Sequence, residues 1–215
     1  LFTPTQRRAG AVAMANVLHI LSRWEEGIAW CERAERALPT PCAAAHSRRA
    51  SLERCMGRME AARASAELAL ATARSDGDRH IEGQSLNNLG IVAHVTGDLE
   101  TARALYKQSL AIQRAIGNRS GEAASLSNLG NVTHHCGDLE AARTLYEQSL
   151  AIHRAIGNRL GEASSLGNLG EVLLDQDRPA EGLVLLDQAQ ELLDAIHNAD
   201  AEFLLYRAEA LRRLN

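Results

Sequence analysis

The sequence predicts an all-α fold built from repeated helix pairs, and three observations carry that reading. Of the 215 residues, 46% are hydrophobic and only 3% aromatic, with Ala and Leu abundant. Those two residues favour helix, and the β-branched residues that favour strands are few. Residues 81–120 and 121–160 are identical at 27 of 40 positions without a gap, and repetition at such a period is the mark of a solenoid. Within each copy the apolar residues recur at helical spacing in two runs, separated by Gly-Asp. An all-β fold is excluded.

The repeat sets the element order, with pairs expected over 8–40, 43–80, 83–118, 123–158 and 163–197. The first pair is a shorter copy, with Trp24-Glu25-Glu26-Gly27 where later copies read Leu-Glu-x-Ala. The second keeps the register, since Gly57, Ala62 and Leu70 align with Gly97, Ala102 and Leu110. In the third, Leu86, Leu89, Gly90 and Ala93 form an i, i+3, i+4, i+7 stripe that stops at Gly97. Asp98 can cap the next helix, and Glu100 favours its dipole. That helix carries Leu99, Ala102, Leu105, Tyr106, Ser109, Leu110 and Ile112 on its apolar face and ends at Gly117-Asn118. Gly-Asn there reads as a turn whose residues tolerate positive φ.

Small Gly90 and Ala102 mark the expected crossing of the paired helices, and Leu105 and Tyr106 are expected to fill the space beside the next pair. Gly130 and Gly170 repeat the crossing glycine. The fourth pair repeats the third. The fifth departs from it, with Asp177-Arg178-Pro179 replacing Gly-Asp-Leu and Gly182 replacing the crossing Ala, so irregularity is expected there. Residues 199–214 read as a terminal capping helix, or as the start of a further repeat. One pair cannot bury both its faces, so neighbours must stack.

These residues resemble a known family. The pattern Leu86, Leu89-Gly90, Gly97-Asp98, Ala102, Tyr106 and Ser109 is similar to the tetratricopeptide repeat. Residues 8–40 resemble its ordinary form, and the later copies resemble the 40-residue variant of kinesin light chains and of bacterial STAND-type regulators. The resemblance implies a right-handed superhelix of five helix pairs plus the terminal helix, in a single repeat domain. It also implies a concave groove lined by the first helices, which binds a peptide or protein.

The resemblance places Asn88, Asn128 and Asn168 in that groove, with Arg48 at the equivalent position of the second pair. One turn on come Ile91, Asn131 and Glu171; Asn87, His94 and His134 complete the face. Asn side chains offer both a donor and an acceptor, so they can hold an extended backbone. The alternative is that the Asn side chains only stack on one another between repeats. Charge changes along the implied groove, from Arg48 and Arg54 to Glu171 and Asp175. A bound peptide is expected to lie with its acidic part near Arg48 and its basic part near Glu171.

Other chemistry finds little support. Net charge is -4, which argues against nucleic acid as a partner. It is uneven: residues 1–80 hold 12 Arg and 9 acids, and the rest hold 11 basic residues and 18 acids. Lys107 is the only lysine, which suggests a GC-rich bacterial genome. Cys31, Cys42, Cys55 and Cys136 show no paired spacing and read as reduced cytoplasmic thiols. No apolar run is long enough for a membrane span. His19, His94 and His134 share one repeat position, but neighbours His134 and His135 point apart and no fixed Cys or acidic partner completes a metal site. Cys136 beside His135 lacks an orienting third group for nucleophilic catalysis. No phosphate-binding or hydrolase motif occurs. Arg63, Arg103 and Arg143 read as solvated partners of Glu60, Glu100 and Glu140.

The sequence therefore points to a non-enzymatic interaction scaffold without a cofactor. The alternative is a ligand-sensing array of a STAND-type ATPase or transcriptional regulator. Self-association through the solenoid ends is a further expectation. The chain starts at Leu1 rather than Met, which suggests a piece of a longer protein.

Overall fold

A computed structural model describes residues 3–20, 23–37, 40–195, 209 and 211–213. Among them, ten helices follow one another: α1 (Pro4–Ile20), α2 (Trp24–Arg36), α3 (Ala43–Cys55), α4 (Met59–Asp76), α5 (Arg79–Val95), α6 (Leu99–Ala115), α7 (Arg119–His135), α8 (Leu139–Ala155), α9 (Arg159–Asp175) and α10 (Pro179–Ala195). The described residues contain no strand. The chain divides into two compact units, Leu1–Gly117 and Asn118–Asn215.

In the first unit α1 pairs with α2, α3 with α4 and α5 with α6. Each pair stacks on the next through α2–α3 and α4–α5, and the first helices meet directly, α1 on α3 and α3 on α5. In the second unit α7 pairs with α8 and α9 with α10, and α8 packs on α9. This is the solenoid packing that the repeat requires.

Helix boundaries follow from capping chemistry. Asp98 and Asp138 accept backbone N–H bonds from Thr101 (3.1 Å) and Ala141 (3.2 Å), at the starts of α6 and α8. Asp78, Asn118 and Asn158 do the same at the starts of α5, α7 and α9, at 3.0, 3.2 and 3.0 Å. These bonds satisfy donors that a helix start leaves orphaned, and they set α5 four residues upstream of residue 83. The turn glycines Gly97 and Gly117 adopt φ of +84° and +70°. Asn118 does not share that conformation: its φ is -79°, and it caps α7.

The crossing glycines are buried. A Cβ on Gly90 would lie 2.6 Å from the Tyr106 ring, and one on Gly130 would lie 2.5 Å from the Tyr146 ring. Tyr106 therefore fills the space within its own pair, not the space beside the next pair, because the glycine opens a slot for the ring. In the fifth pair Leu186 takes the tyrosine's place against Gly170, and a Cβ on Gly182 would lie 3.0 Å from the Gly170 carbonyl oxygen.

That fifth pair is regular, contrary to the expectation from its altered turn. Asp177 adopts the left-handed conformation, φ +57°, where other repeats use glycine. Pro179 then sits at the first helical position, where its missing N–H costs nothing. The expected terminal helix over 199–214 lies outside the described residues, apart from Glu209 and residues 211–213, which are helical. There Arg213 donates to the Leu174 carbonyl at the end of α9.

A recurrent clasp that the sequence reading missed joins α4 to α5 and α8 to α9. Glu82 is buried and accepts from Arg79 at 2.5 Å and from Arg74, at the end of α4, at 3.1 Å. Glu162 repeats this with Arg154 at 3.0 Å and Arg159 at 3.1 Å. Burial works against the Glu162 charge, but the two arginine bonds outweigh it and hold the carboxyl below its usual range.

Candidate functional site on the first helices

The first helix of each pair carries a ridge of side chains spaced by three residues, a helical neighbour relation. Sequence register matches Ala13, Asn16 and His19 on α1 with Arg48, Ser51 and Arg54 on α3, and with Asn88, Ile91 and His94 on α5. In the second unit the ridges are Asn128, Asn131 and His134 on α7, and Asn168, Glu171 and Leu174 on α9.

In the first unit, Arg48, Asn87 and His94 are half-buried, and Asn88 is buried. Asn88 donates to the Ser47 carbonyl at 3.2 Å and accepts from the Ser51 hydroxyl at 3.4 Å. Both ends of its amide thus tie α5 to α3. His19 is half-buried, and burial, followed by the Arg48 and Arg54 charges, lowers its pKa.

In the second unit Asn128, Asn131, His134, Asn168 and Glu171 are all half-buried. Here α7 and α9 are joined by direct polar contacts. Asn168 donates to Asn131 at 3.5 Å, at the edge of a hydrogen bond, and His134 Nε2 meets Asp175 at 2.7 Å. The Tyr146 hydroxyl donates to the same Asn131 oxygen at 2.8 Å. The ridge of this unit is therefore a linked polar seam. His134 and Asp175 pair with one another, a contact that helical spacing alone does not reveal.

The structure gives the remaining candidates plain roles. Arg143 pairs with Glu147 at 2.9 Å, not with Glu140, and Glu140 instead accepts from Gln176 at 2.7 Å. The Arg63 and Arg103 Nε atoms are buried without a partner, so these arginines are less solvated than the sequence reading expected. All four cysteines are unpaired, and burial pushes the Cys31 thiol up to about 12. No group of three or more His, Cys, Asp or Glu among the described residues could hold a metal ion. No described helix is long and apolar enough to cross a membrane.

The comparisons agree with this architecture. The chain is similar in structure to BtubC (BKLC) from P. vanneervenii, with a TM-score of 0.73 and 19% identity, over 92% of this chain and 85% of that one. It is similar to a Rap protein solved in complex with Competence and Sporulation Factor, with a TM-score of 0.78 and 14% identity, over 98% of this chain but only 59% of that one. It is also similar to Pseudomonas aeruginosa pilF, with a TM-score of 0.70 and 18% identity, over 98% of this chain and 90% of that one. At such identities the likeness is one of fold. No curated protein matches the chain in sequence. The family model for the tetratricopeptide repeat matches residues 41–115 and 121–195, well over half the chain. The chain belongs to the tetratricopeptide repeat family.

Proposed function

We propose that this chain is a non-catalytic scaffold that binds a protein or an extended peptide on the first helices of its repeats. The observation that carries this reading is the repetition of half-buried polar side chains at one register: Arg48 on α3, Asn128 on α7 and Asn168 on α9. Such positions keep polar atoms at the surface while the helices that bear them are fixed by packing, and rigid placement lowers the entropy lost on binding. The Asn amides would hold the ligand backbone without demanding a sequence. The Rap complex supports the reading only by analogy of fold.

Selection of peptides from a random display library against the whole chain tests it. Binding of the enriched peptides should fall about tenfold in Asn128→Ala, Asn168→Ala, a loss of about 1.4 kcal/mol. Selected peptides that bind the double variant as well as the parent would place the ligand elsewhere.

A further inference from the structure

A pocket of about 240 Å³ opens where the start of α2 meets the end of α3, lined by Arg23, Trp24, Glu25, Glu26 and Met56. Its lining includes none of the ridge residues of the first helices. Trp24 and Met56 are half-buried and pack against one core cluster of the first unit, with Ile28 and Leu52. The charged residues already have partners. Arg23 donates to Glu26 at 2.6 and 2.5 Å, and Glu25 accepts from Arg58 at 2.5 Å. The pocket therefore combines two apolar side chains with charges that are closed into ion pairs.

Both apolar members depart from the repeat. Sequence register matches Trp24 with Leu99 and Leu139, and Met56 with Thr96, Cys136 and Gln176. In the second unit Gln176 donates to Glu140 at 2.7 Å, a bridge from the end of α9 to the start of α8. The first unit retains the acceptor as Glu25, but Met56 has no donor to offer, and Glu25 takes Arg58 instead. The bridge is lost, and a pocket that holds an aromatic ring and a thioether stands in its place.

We propose that this pocket receives one aromatic side chain, of about indole size, from a bound protein. Volume limits the occupant: an apolar cavity of roughly 150 Å³ takes benzene, and drug-sized ligands fill roughly 300–1,000 Å³. Chemistry sets its class. Trp24 favours a second ring in offset or edge-to-face packing, and the Met56 sulfur favours a ring edge. A cationic side chain would have to displace Arg23 or Arg58 from its carboxylate, whereas a neutral ring leaves both pairs intact. The exposed Arg23–Glu26 and Arg58–Glu25 pairs can meet the backbone amides that flank such a side chain, which a free ring lacks. The site goes beyond the scaffold reading and shares no residue with its Asn128 and Asn168 test positions, so either can fail alone.

The test is a titration of the labelled whole chain, followed by NMR, with N-acetyltryptophanamide, N-acetylleucinamide, N-acetyllysinamide and free indole. N-acetyltryptophanamide should shift the Trp24 indole N–H and the Met56 methyl, and bind about fivefold more tightly than the leucine probe. Trp24→Leu, which copies Leu99, should remove that preference, read at the Met56 methyl. Met56→Gln, which copies Gln176, should weaken binding about fivefold, because Gln can restore the bridge to Glu25. Met56→Leu keeps the pocket apolar and should bind within about twofold of the parent. Thermal melting of each variant shows that it remains folded.

Absence of shifts at Trp24 and Met56 up to about 10 mM N-acetyltryptophanamide would overturn the site. Equal binding of the leucine probe would overturn the aromatic assignment, and tighter binding of the lysine probe would replace it with a cation held over Trp24. Free indole binding as tightly as the capped tryptophan would overturn the side-chain source in favour of a small aromatic molecule. Unchanged affinity in Met56→Gln would overturn the role of the lost bridge.

Discussion

At the scale of single residues, the two tyrosines are a natural comparison. Tyr106 and Tyr146 occupy the same slot against Gly90 and Gly130. Only Tyr146 has a hydrogen-bond acceptor, Asn131 at 2.8 Å. Tyr146→Phe should therefore cost about 1 kcal/mol, and Tyr106→Phe should be neutral or stabilising, because it removes an unsatisfied buried hydroxyl. Chemical denaturation of the two variants checks this; equal losses would mean that the Tyr106 hydroxyl has a partner after all. Asp177 offers a second comparison, since it holds a left-handed conformation that glycine adopts freely. Asp177→Gly should stabilise the chain by about 0.5–1 kcal/mol, read as a higher denaturation midpoint at an unchanged slope, because relief of the left-handed conformation outweighs the freedom that glycine adds to the unfolded chain. The sequence showed that this turn was unusual but not how Asp would accommodate it: Asp is among the few residues that tolerate positive φ.

At the scale of helices, the crossing glycines and the pair boundaries decide packing. Gly130→Leu would drive a side chain into the Tyr146 ring and should cost about 1–3 kcal/mol or more. A variant melting at the parent temperature would show that the packing register is wrong. The α8–α9 boundary carries a pH response. His153 is buried against Gly161, and burial, only partly offset by the Glu162 charge, lowers its pKa below 6.5. The unfolded chain then takes up a proton near pH 6.5 that the folded chain resists. The associated stability is complete above that pH and is lost as pH falls towards the folded value. His153→Gln, which copies Gln113 of the preceding repeat, should flatten the fall in melting temperature as pH drops below about 6.5. An unchanged pH profile would assign the response to other groups.

Much of this scale was legible in advance. The Gly-Asp stops and the capping aspartates lie in the repeat itself, so helix order and most boundaries followed from it. The Arg74–Glu82–Arg79 clasp was not legible, because its parts lie on two helices and look like ordinary surface charges until α4 and α5 are packed. The inward turn of Tyr106 was hidden too, since apolar periodicity assigns a residue to a face and not to a particular neighbour.

At the scale of the whole molecule, the chain is a repeat protein, and the proposed function places recognition on its first helices. The fold was readable because near-identical copies repeat each local signal. The candidate site was readable only as a set of positions. Whether Asn88 faces a ligand or ties α5 to Ser47 depends on side-chain reach between helices, and a single period does not encode that. The second unit's His134–Asp175 contact likewise occupies a carboxylate that the expected polarity counts as free. The central claim, that the first helices form the binding face, is tested most directly by hydrogen–deuterium exchange of the whole chain with and without a display-selected peptide. The account predicts added protection in α3 and α5, in α7 and α9, or in both sets, with α4, α6, α8 and α10 unchanged. Protection concentrated in the second helices would contradict it.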